Sequence, residues 1–288
     1  MLSYISSRHN PAVMLAASLS EKKNREKTRL FRFDGKKLFA EACACGVELQ
    51  YVFLLESKKD ELIQFVNEKI AIHNINNMDC ICVLSDAAFD KICEEKSPEG
   101  IITVAKYIDK LRKIATIDNM ASAAEAKELF GEGRMMAFES LRDPGNLGTV
   151  IRTAAALGVE TLLLSSDCAD IYNPRTVRAA MGALFTRRIV IADDLPCALA
   201  AVGKTGRRTV AAALSDGARD VRELSLGSRD CVVIGNEGHG LSAAALAACE
   251  LSAILPMERG PGIESLNASV AAAIFMWLCR GEDTAARN

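Results

Sequence analysis

The sequence predicts an α/β chain in two parts: a small N-terminal α/β domain and a larger C-terminal domain built on a parallel sheet. Three observations predict it. The composition is that of a folded chain, with 288 residues, half of them hydrophobic and a quarter charged, outside the range of disordered sequences. Short apolar runs alternate with helix-periodic stretches over 1–106 and again, more strongly, over 134–288, and such alternation calls for a sheet covered by helices. Between them, 107–133 is polar, alanine-rich, helix-prone and closed by Gly131-Glu132-Gly133, and it reads as a partly helical connection between domains.

Charge and cysteine usage exclude several function classes. Lys plus Arg is 35 and Asp plus Glu is 37, a net charge of −2. A chain this neutral is no general polyanion binder, so any nucleic-acid site is a local patch. No apolar run reaches the roughly 20 residues that cross a bilayer. The ten cysteines sit mostly inside apolar patterns. The pairs Cys43/Cys45 and Cys80/Cys82 lack the spacing of a zinc site, and the three histidines do not cluster with them. The expectation is a reduced, cytoplasmic protein with core thiols, no metal and no membrane association.

In chain order, Pro11 to Leu19 reads as an ordinary helix rather than a signal peptide. Residues 1–40 carry nine Lys/Arg against three Asp/Glu, most of them in the run Glu21 to Lys37. A solvated helix face accounts for such a run, and so does an RNA-backbone contact that releases phosphate counterions. Leu38 to Cys45 and Glu61 to Ile70 are helical by period, while Tyr51 to Leu55, Cys80 to Leu84 and Ile101 to Ala105 read as strands. In the second part, strand candidates are Met135 to Phe138, Thr161 to Leu164, Arg188 to Ile191, Thr209 to Ala213 and Cys231 to Ile234. Ligands bind at the carboxyl ends of strands in such sheets, so functional residues are expected just after them.

Three segments carry chemistry. The first is Ser140 to Gly158, where Asp143-Pro144-Gly145 is turn chemistry, Asn146 a candidate N-cap and Gly158 a stop. Leu147, Val150, Ile151 and Ala154 share one helix face. Arg152 points away from it, with Gly148 one turn earlier on its own side, a bare surface that would let a phosphate or ribose approach. A solvent-facing arginine on an ordinary helix is the alternative. The second segment is Cys231 to Leu241, an apolar strand running into a loop with three glycines around Asn236, Glu237 and His239. It is no dinucleotide fingerprint, and His239 reads as a loop residue rather than a base or ligand. The third is Ile254 to Arg280: a short strand reaching Pro256, a Gly/Pro loop, and a helix from Ser265, the candidate N-cap. That helix is apolar almost all round, so it is expected to be buried in the core or against another subunit. Capping explains Ser265 but leaves Asn267 unexplained.

Together these segments resemble the three motifs of the SpoU (TrmH-like) RNA ribose methyltransferases of the SPOUT class. Asn146, Gly148, Arg152, Thr153 and Ala154 match the first motif. Gly235, Glu237, Gly240 and Leu241 match the second, and Pro256, Met257 and Ser265 to Ala271 the third. The order and spacing agree from Arg134 to Gly281. Ile5 to Pro11, the basic stretch, Phe31 to Leu38 and Ser97 to Ile102 are similar to the family's RNA substrate-binding domain, which has a ribosomal-protein-like fold. Asp34 stands where the family usually has Glu, and Ala268 where Val is common.

The resemblance implies a trefoil knot in the C-terminal domain, a homodimer, and S-adenosylmethionine as methyl donor, held near Gly235, Leu255, Met257 and Leu266. It implies methyl transfer to a ribose 2′-oxygen, with Arg152, Asn146, Glu237, Ser265 and Asn267 as the catalytic set. It also implies RNA contacts from Lys22, Lys23, Arg25, Lys27, Arg29 and Arg32. Arginine is a poor base, so Arg152 is expected to hold the target phosphate and stabilise the developing alkoxide. Asn146 is expected to fix the Arg152 region, Glu237 to position Arg152 or the cofactor, and Ser265 with Asn267 to orient ribose and cofactor. Large-subunit ribosomal RNA is the expected substrate, with transfer RNA or a catalytically inactive RNA-binding homologue as alternatives. A Rossmann-type small-molecule methyltransferase is disfavoured, because its glycine-rich loop would follow the first strand of its domain.

Overall fold

The computed structural model describes residues 2–73, 80–108, 112–115, 122–215, 217–258 and 265–280. The chain divides into two compact units, Met1–Ile108 with Asp170–Phe185, and Asp109–Ala169 with Thr186–Asn288.

The first unit is a mixed sheet with helices. Its strands are β1 (Leu2–Ile5), β2 (Leu30–Asp34), β3 (Leu49–Leu55), β4 (Cys80–Leu84) and β5 (Ile101–Lys106), in the order β1-β4-β3-β5-β2. β4 runs parallel to β1 and β3, while β5 runs antiparallel to β3 and β2. Its helices are α1 (Pro11–Ser18), α2 (Lys22–Thr28), α3 (Lys36–Ala44), α4 (Lys59–His73) and α5 (Asp86–Asp90). Phe53, Leu84, Phe89, Ile102 and Val104 form a core with Val13, Ala16 and Leu19 of the α1 region, all essentially solvent-free. The helices and strands expected over 1–106 are present, and β1 and β2 are additions to them. In β2 the apolar Leu30, Phe31 and Phe33 flank Arg32 inside a cationic run, so charge masks the strand.

The second unit is an eight-stranded sheet in which every pairing is parallel. In chain order it comprises β6 (Arg112–Ala115), α6 (Ala123–Phe130), β7 (Met135–Phe138), α7 (Pro144–Ala156), β8 (Thr161–Ser165) and, after an excursion holding α8 (Pro174–Ala180), β9 (Arg188–Ala192) and α9 (Leu195–Lys204). Then come β10 (Arg208–Ala212), β11 (Arg219–Asp220), β12 (Asp230–Ile234), α10 (Ala243–Ala247), β13 (Leu251–Ile254) and α11 (Ala268–Leu278). The strand order is β11-β13-β10-β12-β7-β8-β9-β6. From β7 the sheet grows one way through β8 and β9 and the other way through the later strands, and ligands bind at the carboxyl ends near such a reversal.

The 107–133 stretch does more than connect. β6 adds an edge strand beside β9, and α6, with a Ser122–Glu125 capping box, buries Ala126, Leu129 and Phe130 in the core. Alanine and short polar residues conceal that apolar stripe in the sequence.

Asp170–Phe185, between β8 and β9, clusters with the first unit. Tyr172 stacks on Tyr107 at 3.9 Å between ring centroids, lies 4.7 Å from Phe31, and its hydroxyl accepts the Ile108 amide at 2.7 Å. Arg178 pairs with Asp34 at 3.3 Å and Glu95 at 3.4 Å. Burial pushes the Asp34 carboxyl up to about 6, against the pull of Arg32 and Arg178.

Candidate active site

The loops at the carboxyl ends of β10, β12 and β13 enclose a cavity of about 460 Å³, within the range of small-molecule sites. The loop after β12 closes on itself, with Asn236 and Gly240 exchanging backbone hydrogen bonds of 3.0 and 2.9 Å. That explains two of its glycines. A Cβ on Gly235 would lie 2.2 Å from the Gly240 carbonyl carbon, and Gly240 has φ +69°, a conformation that L side chains rarely adopt. Gly235, Leu255, Met257 and Leu266, the four residues expected around the cofactor, all line this cavity. So do Glu237, Ser265 and His239, the last of which the sequence presents as an ordinary loop residue.

Beside the cavity runs a chain of side-chain amides. Asn267 Nδ2 donates to Asn146 Oδ1 at 3.0 Å, and Asn146 Nδ2 donates to Glu237 Oε1 at 2.9 Å. One residue from each of the three motifs thus meets the next. Each amide's donor and acceptor ends are fixed by its neighbours, because Glu237 accepts at one end and Asn267 Oδ1 is occupied at the other by Ser269 N, Ser269 Oγ and Val270 N. Such linked bonds orient one another.

Two capping expectations are corrected here. Asp143, not Asn146, caps α7: its Oδ1 accepts the Asn146 amide at 2.7 Å, and Pro144 occupies the first turn. Asn267, not Ser265, caps α11. Both asparagines are good caps in isolation, so only three-dimensional context decides which residue takes the position. Asn267 serves both as cap and in the amide chain, which accounts for the residue that capping by Ser265 left unexplained.

Arg152 sits on α7 with Leu147, Val150, Ile151 and Ala154 fully buried on the opposite face. Its side chain is exposed, and among the described residues no hydrogen bond or ion pair engages it. The bare surface expected beside it is not found. Gly148 is itself buried, and α11 packs on α7. Leu141 is buried as well.

The basic patch of the first unit is smaller than the sequence suggests. Lys22, Lys23, Lys27 and Arg29 lie at the surface, with Lys22 3.8 Å from Glu26 and the Arg29 guanidinium 4.6 Å from the Tyr107 ring centroid. Arg25 and Arg32 are only 1% and 5% exposed. Arg25 is bound to Asp170 and to the Leu19 and Ser20 carbonyls, and Arg32 to the Ile92 carbonyl and Glu94. Their charge is spent inside the fold, which removes both from the set of expected RNA contacts. Glu139, which sequence reasoning missed, supports the loop that lines the cavity. Its carboxylate accepts Ser242 N and Ser242 Oγ, both at 2.7 Å, tying the end of β7 to the loop after β12. Its place just after a strand is the signal that could have found it.

Residues 134–277 match the SpoU rRNA Methylase family, and residues 10–103 match the MRM3-like substrate binding domain. The chain is 30% identical to the 23S rRNA (guanosine(2553)-2'-O)-methyltransferase RlmP of Bacillus subtilis (strain 168), over 96% of this chain and 99% of the relative. It is 27% identical to rRNA methyltransferase 3, mitochondrial, of Xenopus laevis, over 89% of this chain and 70% of that protein. The crystal structure of an AdoMet-bound rRNA methyltransferase from Sinorhizobium meliloti superposes with a TM-score of 0.78 at 24% identity, covering 96% of this chain and 97% of that one, which establishes the shared fold. Joined by the motifs that meet at the cavity, these matches make the chain a member of the SpoU rRNA methylase family.

Proposed function

We propose that the protein transfers a methyl group from S-adenosylmethionine to a ribose 2′-oxygen of large-subunit ribosomal RNA. The observation that carries this reading is the amide chain Asn267–Asn146–Glu237, which joins all three motifs at the rim of the cavity. The cavity fits the cofactor in chemistry as well as size. Leu255, Leu266 and Phe275 supply apolar wall, the loop after β12 supplies backbone polar groups where Gly235 lacks a side chain, and Glu237 supplies negative charge. When bound there, S-adenosylmethionine supplies an electrophilic methyl group on a positively charged sulfur.

The protein's own part is positioning and charge. Glu237 offsets the sulfonium charge while Asn146 holds its carboxylate in place. Ser265, exposed at the cavity rim, orients ribose or cofactor together with Asn267. Arg152 reaches out from α7 to hold the target phosphate and stabilise the developing alkoxide, the hydroxyl proton passing to solvent. Holding the hydroxyl oxygen close to the methyl donor would supply much of the rate. Lys22, Lys23, Lys27 and Arg29 hold the RNA backbone, and the target nucleotide is unstacked to expose its ribose. The protein works in the cytoplasm, a reading supported by the free cysteines of the described residues, since reducing compartments keep thiols unpaired.

The knot and the dimer belong to the same proposal. β13 lies beyond β10 from β12, yet α11 packs against α7 and β12, so the chain doubles back across strands already laid down, as a knotted path requires. The family resemblance and an exposed apolar stripe support a homodimer. α11 buries Ala268, Ala272, Phe275 and Met276 but leaves Val270, Ile274, Trp277 and Leu278 on its other side, Trp277 at 60% exposure. A stripe of this kind marks an interface, and a tryptophan at its centre is a typical anchor worth about 2 kcal/mol or more. Trp277→Asp is expected to shift the protein from dimer to monomer in sedimentation velocity. A dimer of unchanged stability would place the interface elsewhere.

The assay for the function uses labelled S-adenosylmethionine and unmodified total RNA, followed by nucleoside digestion. Label in a 2′-O-methyl nucleoside of large ribosomal RNA supports the proposal. Label confined to transfer RNA overturns the substrate, and cofactor binding without transfer to any RNA favours an inactive RNA-binding homologue.

A further inference from the structure

The residues Glu139 to Asp143 carry the chain from β7 into α7, and Ser140 and Leu141 are pinned at every backbone polar group. Ser140 has φ +54°, a left-handed conformation that a serine adopts only when its surroundings impose it. Its amide donates to Ser165 Oγ at 2.8 Å, its hydroxyl donates to Asp167, and its carbonyl accepts Asn236 Nδ2 at 2.9 Å. Ser165 Oγ donates in turn to Asp167 Oδ1 at 2.6 Å. Leu141 follows, its amide 3.3 Å from Cys168 Sγ and its carbonyl accepting the Ala169 amide at 2.8 Å. Asp143 then caps α7. The loop after β8 holds this connection from one side and Asn236, in the loop after β12, from the other.

Among these partners, Asn236 also shapes the cavity. Its Oδ1 accepts the Gly238 amide at 2.9 Å and the His239 amide at 3.2 Å, setting the turn that carries Glu237. One side chain thus folds the loop that bears Glu237 and ties it to the strained residue from which the helix bearing Asn146 and Arg152 departs.

We propose that Asn236 is a positioning residue for methyl transfer: through the Ser140 carbonyl it fixes α7, and with it Arg152, relative to the cavity. This deepens the active-site reading above and rests on it. A displacement of about 1 Å at a reacting centre can cost on the order of 10²-fold in rate, so a bond holding two site-bearing loops in register has a kinetic consequence beyond its contribution to folding.

Asn236→Ser separates the two roles. A serine hydroxyl can still accept from the Gly238 and His239 amides in a local turn, but it is too short to reach the Ser140 carbonyl. Asn236→Asp does the same at constant size, setting an oxygen against that carbonyl. The first readout needs no substrate: amide hydrogen exchange over 139–147 should quicken by about tenfold or more in both variants, with the melting temperature little changed. The second is single-turnover transfer to unmodified ribosomal RNA, which should fall on the order of 10²-fold at saturating cofactor. Unchanged exchange over 139–147 overturns the proposal. So does a collapse of the melting temperature, which would make Asn236 a folding residue. If the wild-type protein methylates no RNA, the functional reading fails, while the exchange result still decides whether Asn236 positions α7.

Discussion

Arg152→Ala is expected to lower methyl transfer by about 10²- to 10³-fold or more, the effect of removing one charge-stabilising donor from a developing anion, and to leave cofactor affinity and folding intact. The separation follows from where the residue sits. α7 is held by Leu147, Val150, Ile151 and Ala154, each fully buried, and by the Asp143 cap, none of which involves Arg152. Arg152 is absent from the cavity lining, so deleting its guanidinium alters nothing in the proposed cofactor cavity. Among the described residues it has no partner that would be left unpaired. The substitution takes away an outward-facing planar cation, suited to bidentate contact with phosphate. Arg152→Lys keeps the charge without the fork and should retain only part of the rate. Single-turnover transfer, set beside calorimetric cofactor binding, decides the matter. Wild-type-like turnover in the alanine variant would leave Arg152 a solvent-facing residue.

The order of elements is legible in the sequence wherever an element is short, apolar and bounded by turn chemistry. Thr161 to Ser165 and Asp230 to Ile234 are buried along their whole length, so their residue types alone betray them. β2 is illegible because its apolar residues sit inside a cationic run. β6 is illegible because Arg112 to Ala115 opens on two cations and leaves only two apolar residues, too short a run to read as a strand. At the site, the motifs can be read because each follows a strand, and the structure brings Asn146, Glu237 and Asn267 into one hydrogen-bonded chain. Caps are harder to read. Asp143 and Asn146, or Ser265 and Asn267, are equally good caps by type, and the choice depends on which side chain the neighbouring loops recruit. The left-handed Ser140 is invisible, since nothing in a serine's identity marks a conformation forced by Ser165, Asp167 and Asn236 from elsewhere in the chain.

Arg25 marks the limit of reading charge as surface, and its substitution has the largest stability effect we expect. Arg25→Met should destabilise the protein by about 3–5 kcal/mol, the cost of removing one partner from a buried ion pair. Its guanidinium is almost wholly buried and makes bonds of 2.7 and 2.6 Å to the Leu19 and Ser20 carbonyls and of 3.1 and 2.7 Å to Asp170. Asp170 is only 13% exposed, so methionine would leave its carboxylate without a cationic partner, held only by the Tyr172 amide at Oδ1, and would strip the Leu19 and Ser20 carbonyls of their guanidinium donor while matching much of the side-chain volume. Lys23→Ala, in the same cationic run, should change stability by no more than about 0.5 kcal/mol. It should instead weaken RNA binding and reduce the slope of log affinity against log salt by about 0.7–0.9, the share of one neutralised phosphate. Chemical denaturation and salt-dependent RNA binding on the two variants therefore give opposite patterns. An Arg25→Met protein that keeps its denaturation midpoint and loses RNA affinity would return Arg25 to the nucleic-acid surface. The expected pattern would show that the run Glu21 to Lys37 is two things at once: Arg25 and Arg32 build the unit, and the lysines with Arg29 are left to meet the RNA.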